Sequence, residues 1–429
     1  MTPSPETRRP WALMLAAVCL VAVNMRMTIT GVGPLLEEIA ADQGVSPAAL
    51  GGLASVPLLA WGLVSPLAHW LSMRLGSERA VTWSLVALGL GTVWRSLPGG
   101  PAHLWLGTAL IGAALAIGNV LLPAVIRRDF GSRIPLVMGI YTALLGGMGA
   151  ISSGIVVPIS HAGAPGAGPG WRIALLCTGI LIPLAVVVWA VAMRGSRTDR
   201  TAPGTPAGTG PSDTNPVDTA TAPTAPPPDR SHGRSAGRRI WRDPVAWTVA
   251  FYMGLQSTIF YMTATWLAPI ETSQGRSPVE AGVDVMIFQL ISIAGSLLLP
   301  LLYRGRMRRR LAAVIPVFTG GSFACLVLLP HTGTLLWLAI GGLGSGASLS
   351  LSLMFMAIRA RRQEAASALS GMSQSVGYLI AATGPAAFGL MHGLSGGWIG
   401  PLALLLAVAA GQLVFGIAVG RDRYALEAR

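Results

Sequence analysis

Residues 103–126 read HLWLGTALIGAALAIGNVLLPAVI, a stretch that contains neither an acidic residue nor an arginine. About 20 apolar residues suffice for a helix to cross the hydrocarbon core of a bilayer. Outward from this stretch, the chain shows twelve such runs, and a polar break follows the sixth. The sequence therefore predicts an all-α membrane protein with twelve transmembrane helices. The runs lie near residues 11–36, 50–72, 80–97, 103–126, 134–159, 172–193, 244–269, 279–303, 311–330, 333–358, 365–391 and 398–420.

The composition agrees with a membrane protein. Of the 429 residues, 52% are hydrophobic and 11% are charged, whereas soluble domains carry about 25% charged residues. This balance argues against a soluble enzyme, a nucleic-acid-binding protein and a disulfide-stapled secreted domain. Cys19, Cys177 and Cys325 each lie inside an apolar run, without metal-ligand spacing. We therefore expect no metal, no cofactor and no nucleic-acid partner.

The distribution of arginine predicts the orientation. All 30 basic residues are arginine, and the net charge is +13. If the first run starts in the cytoplasm, 26 of these arginines fall in cytoplasmic segments, and the outer side holds only Arg95, Arg172 and Arg276. Such an excess on one side is the positive-inside pattern. We therefore predict a multi-pass protein of the plasma (cytoplasmic) membrane with both termini in the cytoplasm.

The polar break and an internal repeat divide the chain. Residues 195–240 are rich in Pro, Thr, Ala and Gly, which predicts a disordered cytoplasmic linker. With a shift of 232 residues, Leu104-Trp105-Leu106 falls on Leu336-Trp337-Leu338, and Arg127 falls on Arg359. We thus predict two six-helix bundles that form a pseudo-repeat, over residues 1–194 and 241–429. Parallel repeats of this kind are typical of carriers that bind substrate between their halves, near the bilayer midplane.

Short motifs in the predicted helices carry a resemblance to a known family. They are NMRMT at 24–28, GVGPLL at 31–36, GNVLLP at 118–123, RRDF at 127–130, YT at 141–142, GWR at 170–172, QS at 256–257 with Tyr261, WLAP at 266–269, QSVGY at 374–378 and GP at 384–385. With them, the chain resembles the major facilitator superfamily, and within it the cyanate permease and 2-nitroimidazole transporter family. The resemblance covers nearly the whole chain outside the linker.

The resemblance implies the major facilitator fold and transport by alternating access, without covalent chemistry or a bound nucleotide. Two family features are missing. The loop at residues 74–79, RLGSER, lacks the aspartate of the superfamily's motif between helices 2 and 3. Val157 precedes Pro158, where drug antiporters of the superfamily carry a Gly-Pro step. The second difference counts against a multidrug exporter.

Arg26 is the most informative single position. If the first helix starts at Trp11, a rise of 1.5 Å per residue places Arg26 about 22 Å deep. A guanidinium at such depth costs at least about 2.5–3.5 kcal/mol unless it faces water or a counter-charge. No acidic residue lies at comparable depth in any predicted helix. We therefore expect Arg26 to anchor a small anion or an electron-rich neutral group.

Other polar residues interrupt the apolar runs and are candidates for the same site. An amide that faces lipid is costly, which favours a cavity-lining role for the amide side chains. Serine and threonine hydroxyls often bond back to their own helix or join two helices, so the sequence leaves both roles open for them, and tyrosines can equally fill space. The candidate substrate-binding residues besides Arg26 are Asn24, Thr30, Asn119, Tyr141, Gln256, Tyr261, Ser352, Gln374 and Tyr378.

The sequence thus favours a secondary active or facilitative transporter, not an enzyme. Its substrate would be a small anion or small polar heterocycle, similar to cyanate or a nitroimidazole. An exporter of drugs or antibiotics with the same fold is the alternative, and a sensor that kept the fold but lost transport is a third class. The expected partners are the substrate and the lipid bilayer, with no obligate protein partner, so we expect a monomer. Direction of transport and coupling to protons stay open.

Overall fold

The computed structural model of the protein describes residues 11–162, 170–194, 238–303 and 307–427. Within these residues the chain forms fourteen α-helices and no β-strand. Of the predicted linker at 195–240, residues 195–237 lie outside the described residues. The helices are α1 Trp11–Thr30, α2 Leu36–Gln43, α3 Pro47–Leu75, α4 Ser77–Ser96, α5 Pro101–Asp129, α6 Ile134–Ser160, α7 Gly170–Cys177, α8 Ile182–Arg194, α9 Pro244–Ser273, α10 Pro278–Leu302, α11 Met307–Leu328, α12 Thr334–Ile358, α13 Gln363–Ser395 and α14 Ile399–Val419.

Eight segments of the described chain are long and apolar enough to cross a membrane, and two of them combine α1 with α2 and α7 with α8. Four further helices, α3, α4, α9 and α13, have 29, 20, 30 and 33 residues. At 1.5 Å per residue each is at least about 30 Å long. Helix α13 packs against both α3 and α9, and Ala49–Ser65 of α3 is an apolar stretch. Helices that face other helices instead of lipid tolerate polar residues, which fits the polar residues of α9 and α13. Twelve membrane crossings thus stay a prediction.

Two pairs of helices join the halves of the bundle. Helix α3 packs along α13, and α6 packs along α10. The shift of 232 residues carries α3 onto α10 and α6 onto α13. The two contacts are therefore equivalent, as expected if each half is one copy of a repeat. We call the end of the bundle where α8 ends and α9 begins the linker end, and the opposite end the α2 end.

The first predicted helix is broken in the structure. Helix α1 ends at Thr30, a 3₁₀ turn spans Gly33–Leu35, and α2 continues the path to Gln43. Pro34 contributes to the break, because it has no N–H to donate to the carbonyl four residues earlier. Within the turn, the Val32 N–H donates to the Ile29 carbonyl. The carbonyls of Thr28 and Thr30 therefore lose their helical partners.

Side chains of two other helices satisfy these free carbonyls. Arg95 Nη1 of α4 donates to the Thr28 carbonyl at 2.7 Å, and Ser153 Oγ of α6 donates to the Thr30 carbonyl at 3.1 Å. Ser153 Oγ also accepts a hydrogen bond of 2.8 Å from Gln289 Nε2 of α10. A buried carbonyl without a partner is costly, so these bonds hold the broken helix in place between α4, α6 and α10.

The two halves approach each other closely between the middle of the bundle and the α2 end. Thr272 Oγ1 of α9 donates to Glu37 Oε1 of α2 at 2.8 Å. At the break, a Cβ atom on Gly33 would lie 2.8 Å from the Ala264 carbonyl oxygen of α9. Real Cβ atoms essentially never come so close to another atom, so only glycine fits there. The bundle is therefore tightly closed at this level.

Candidate functional site

A cavity of about 170 Å³ lies between the halves, next to Arg26. The Arg26 side chain comes from α1, where it is half-buried. Its Nη1 donates to Tyr261 Oη of α9 at 3.2 Å. Its guanidinium carbon lies 5.9 Å from the ring centre of Trp61 on α3, within the range of a cation–π contact. One half of the protein thus supplies the cation, and the other half supplies a neutral phenol as its partner.

Three aromatic side chains hold the middle of the cavity wall. The Trp61 ring meets Tyr378 of α13 at 5.1 Å between centroids and Tyr261 at 6.3 Å, both in edge-to-face geometry. Such geometry stabilises aromatic pairs beyond the area that they bury. Within the described part of the chain, Trp61 Nε1 is buried and has no hydrogen-bond partner. The indole N–H near the Arg26 guanidinium is therefore a donor without an acceptor.

The rest of the lining is neutral. Amides and hydroxyls alternate with Met and Leu side chains, and no acidic residue lines the cavity in the described chain. By the direction of the helices, the cavity runs from the middle of the bundle toward the linker end, because Met253 and Leu353 lie on that side. The lining residues are Met25, Arg26, Trp61, Asn119, Leu145, Met253, Gln256, Ser257, Phe260, Tyr261, Ser292, Ser345, Leu349, Leu353 and Tyr378.

The acidic residues near the α2 end have other partners. Arg172 Nη1 contacts Asp42 Oδ2 at 2.8 Å. Arg276 contacts Asp284, and its Nε lies 3.8 Å from Glu271 Oε2. None of these acids borders the cavity. Among the described residues, Arg26 therefore has no acidic partner.

Half of the residues predicted for the site do line this cavity. They are Arg26, Asn119, Gln256, Tyr261 and Tyr378. The other five do not line this cavity. Four of them donate hydrogen bonds to other groups of the protein, and the fifth is buried. Asn24 Nδ2 donates to the Leu20 carbonyl, Thr30 Oγ1 to the Gly149 carbonyl, Ser352 Oγ to the Ser348 carbonyl and Gln374 Nε2 to Ser370 Oγ, while Tyr141 is 4% exposed in the core of the first half.

Sequence reasoning missed two residues of interest. Trp61 lies in an apolar run, where nothing distinguishes a cavity-lining indole from one that faces lipid. The distribution of arginine places Arg95 on the outer side, near the end of the predicted run 80–97. The structure instead buries it in the last turn of α4, where it is 1% exposed. A signal existed, since Arg95 lies inside its predicted run, which continues through Ser96 to Leu97.

A helical bundle with membrane-length apolar segments, built from two equivalent halves around a buried cavity, defines a polytopic membrane transporter. The model of the Major Facilitator Superfamily matches residues 18–385, and the chain belongs to this superfamily.

The chain is similar to two transport proteins of known name over nearly its whole length. The chain is 34% identical over 412 residues to the 2-nitroimidazole transporter of Escherichia coli (strain K12), a match that covers 96% of each chain. It is 26% identical over 393 residues to the cyanate transport protein CynX of the same strain, over 90% of this chain and 91% of the relative.

A solved structure shows the same fold. The bacterial homologue of the human lysosomal transporter Spinster, in an inward-facing and unoccupied conformation, superimposes with a TM-score of 0.71. The match covers 97% of this chain and 95% of that chain at 17% identity. At this identity the likeness concerns the fold alone.

Proposed function

We propose that this protein transports a small anion or a small polar heterocycle, similar to cyanate or a nitroimidazole, and that Arg26 is its anchor. The observation that carries the proposal is the guanidinium of Arg26 in a cavity without acidic lining residues, where its described hydrogen-bond partner is the neutral Tyr261. A cation in such surroundings attracts an anion or an electron-rich group such as nitro. The names of the two relatives agree with this substrate class.

The size of the cavity supports a small substrate. Its volume is about 170 Å³, whereas sites for drug-sized ligands usually measure about 300–1,000 Å³. Five of its lining residues are Met or Leu, which would serve a nitroimidazole ring as well as a drug. The size therefore favours the small substrate over the alternative of an exporter of drugs or antibiotics.

We infer that transport proceeds by alternating access in the plasma membrane. On this proposal the linker end faces the cytoplasm, together with both termini, and all twelve predicted helices cross the bilayer. The contact between Glu37 and Thr272 then closes the outer side, while the cavity extends toward the cytoplasm. Because Arg26 and Trp61 belong to one half and Tyr261 and Tyr378 to the other, a bound substrate would touch both halves.

Uptake of radiolabelled cyanate into proteoliposomes tests this proposal. Unlabelled nitrate, 2-nitroimidazole and a cationic dye serve as competitors. We expect saturable uptake that nitrate and 2-nitroimidazole reduce and that the dye leaves unchanged. Arg26→Ala should abolish uptake, and Arg26→Lys should weaken it, because an ammonium keeps the charge but loses the planar donor pair.

Arg361→Ala is the matched control. This arginine contacts Glu427 at the linker end, its side chain is 67% exposed, and it does not line the cavity. We expect uptake by this variant to equal that of the unchanged protein. Cyanate uptake by Arg26→Ala at the control rate would contradict the role of Arg26. Flux of the dye without flux of cyanate would instead support the exporter.

A further inference from the structure

A second arginine lies beyond the aromatic wall of the cavity, and this one is fully buried. Arg95 of α4 is 1% exposed. One of its three nitrogens, Nη1, donates to the Thr28 carbonyl at 2.7 Å. In the described part of the chain, Nε and Nη2 are buried without a hydrogen-bond partner, and Arg95 has no acidic partner. Two nitrogens of a buried cation are thus without an acceptor.

Arg95 lines a second, smaller cavity of about 40 Å³. A cavity needs roughly 10–15 Å³ to hold one water molecule, so this one has room for about three waters or one triatomic ion. Besides Arg95, its polar lining consists of hydroxyls and one amide. No acidic residue among the described residues lines it. The polar lining residues besides Arg95 are Thr30, Thr108, Tyr261, Thr265 and Gln289.

The two cavities share a wall. Phe260 and Tyr261 line both of them. The smaller cavity lies toward the α2 end, because it is lined by Gly33 and Thr265, whereas the larger one extends toward the linker end. A small molecule that moves from Arg26 toward the α2 end would therefore pass Tyr261 and meet Arg95 next.

The bond to Thr28 does not account for a charged residue at position 95. One neutral donor is enough to satisfy a helix-terminal carbonyl, as Ser153 does for the Thr30 carbonyl. A buried guanidinium costs more free energy than a neutral donor unless it has an ionic partner. An anion that enters the smaller cavity would supply this partner.

We propose that Arg95 forms a second anion site, on the α2 side of Tyr261, for the same small monovalent anions that Arg26 binds. The inference rests on the proposed function, since it assigns the second site to the same substrate class. The anion would occupy the two sites in succession, with Tyr261 between them. The neutral lining of the smaller cavity and its size restrict it to ions of about three atoms.

Selenocyanate, a linear analogue of cyanate with a strong anomalous scatterer, locates both sites directly. Crystals of the full chain soaked in selenocyanate should show one anomalous peak beside Arg26 and one beside Arg95. A peak at Arg26 without a peak at Arg95 overturns the second site alone. The lack of any peak at Arg26 contradicts the proposed function, and a peak at Arg95 supports the second site in either case.

Two variants add a functional measurement. Arg95→Gln keeps a donor for the Thr28 carbonyl but removes the charge, and Arg95→Lys keeps the charge. We expect Arg95→Gln to raise the half-saturation concentration for cyanate about tenfold or more, and Arg95→Lys to raise it less than threefold. Equal half-saturation in both variants and in the unchanged protein would overturn the proposal. If Arg95→Gln fails to fold, the anomalous map of the unchanged protein decides.

Discussion

Helices α1 and α9 begin the two halves and correspond under the shift of 232 residues, but they differ in continuity and in charge. Helix α9 runs unbroken from Pro244 to Ser273, whereas α1 ends at Thr30. The residue of α9 that corresponds to Arg26 is Thr258, whose hydroxyl donates to the Gly254 carbonyl of its own helix at 2.8 Å. At the position of Arg26, one copy of the repeat thus carries a charge that is followed by a break, and the other copy carries neither.

This difference shows how two similar halves divide the work at one site. The first half supplies the cations Arg26 and Arg95, and the second half supplies the neutral partner Tyr261. A break in α1 frees carbonyls that bind Arg95 and Ser153. Helix α9 is continuous, and the Thr258 hydroxyl bonds to a carbonyl of the same helix. Substitutions at the broken helix should therefore have larger effects than matched substitutions in α9 or α6.

Ser153→Ala should have the largest effect on stability. The change leaves the Thr30 carbonyl and Gln289 Nε2 without the hydroxyl that joins them, and Ser153 is fully buried. Each buried polar group that loses its partner costs about 1–3 kcal/mol. We expect the variant to lose roughly 2 kcal/mol or more, which a lower melting temperature in detergent, followed by tryptophan fluorescence, would show.

Thr258→Val in α9 is the matched control for this prediction. Valine has nearly the same shape as threonine, so the change removes a buried hydroxyl with little change of volume. Among the described residues this hydroxyl bonds to its own helix alone. We expect its melting temperature to fall by much less than that of Ser153→Ala. Equal shifts would show that the break in α1 does not depend on the side chains that surround it.

Gly33→Ala should have the next largest effect, on the closure of the α2 end. The added Cβ would lie 2.8 Å from the Ala264 carbonyl oxygen, and overpacking of this kind costs about 1–3 kcal/mol. The halves can relieve the clash when they separate. In a variant without native cysteines, Thr265→Cys should then react at least about fivefold faster with an impermeant maleimide.

Gly139→Ala in α6 is the same substitution at a position with free space around it, and it serves as the matched control. A Cβ on Gly139 would have no neighbour within 4 Å. The rate of the maleimide reaction should therefore match that of the parent. If Gly33→Ala leaves this rate unchanged, close approach at the break does not hold the halves together.

The sequence predicts the helices well, and the residues that face the cavity only in part. Apolar runs define helices because burial in lipid or protein requires them, and polar residues such as Arg26 and Gln256 stand out within these runs. The side to which a residue points depends on how the helices pack, which a single run does not encode. Asn24 therefore bonds to its own helix, although it lies two residues from Arg26.

Breaks within helices and the ends of helices are the hardest features to predict from this sequence. The run 11–36 reads as one helix, because Gly and Pro also occur inside continuous membrane helices, and α13 continues through Pro385. The predicted run also stopped short of α2, which continues through Glu37 and Glu38 to Gln43 and ends at Gly44 with φ of 61°. These polar residues extend the helix beyond the apolar run because α2 packs against α3.

Glu37→Ala should have the smallest effect, because this contact of α2 with α9 is exposed. The change removes the oxygen that accepts the 2.8 Å hydrogen bond from Thr272. A typical hydrogen bond contributes about 0.5–1.5 kcal/mol, and solvent can replace this one. We expect the maleimide reaction at position 265 to accelerate less than in Gly33→Ala. Glu37→Gln keeps a carbonyl acceptor and should react at the parent rate. If Glu37→Gln instead accelerates as much as Glu37→Ala, the negative charge and not the hydrogen bond closes this end, and α2 then contributes to closure through its charge.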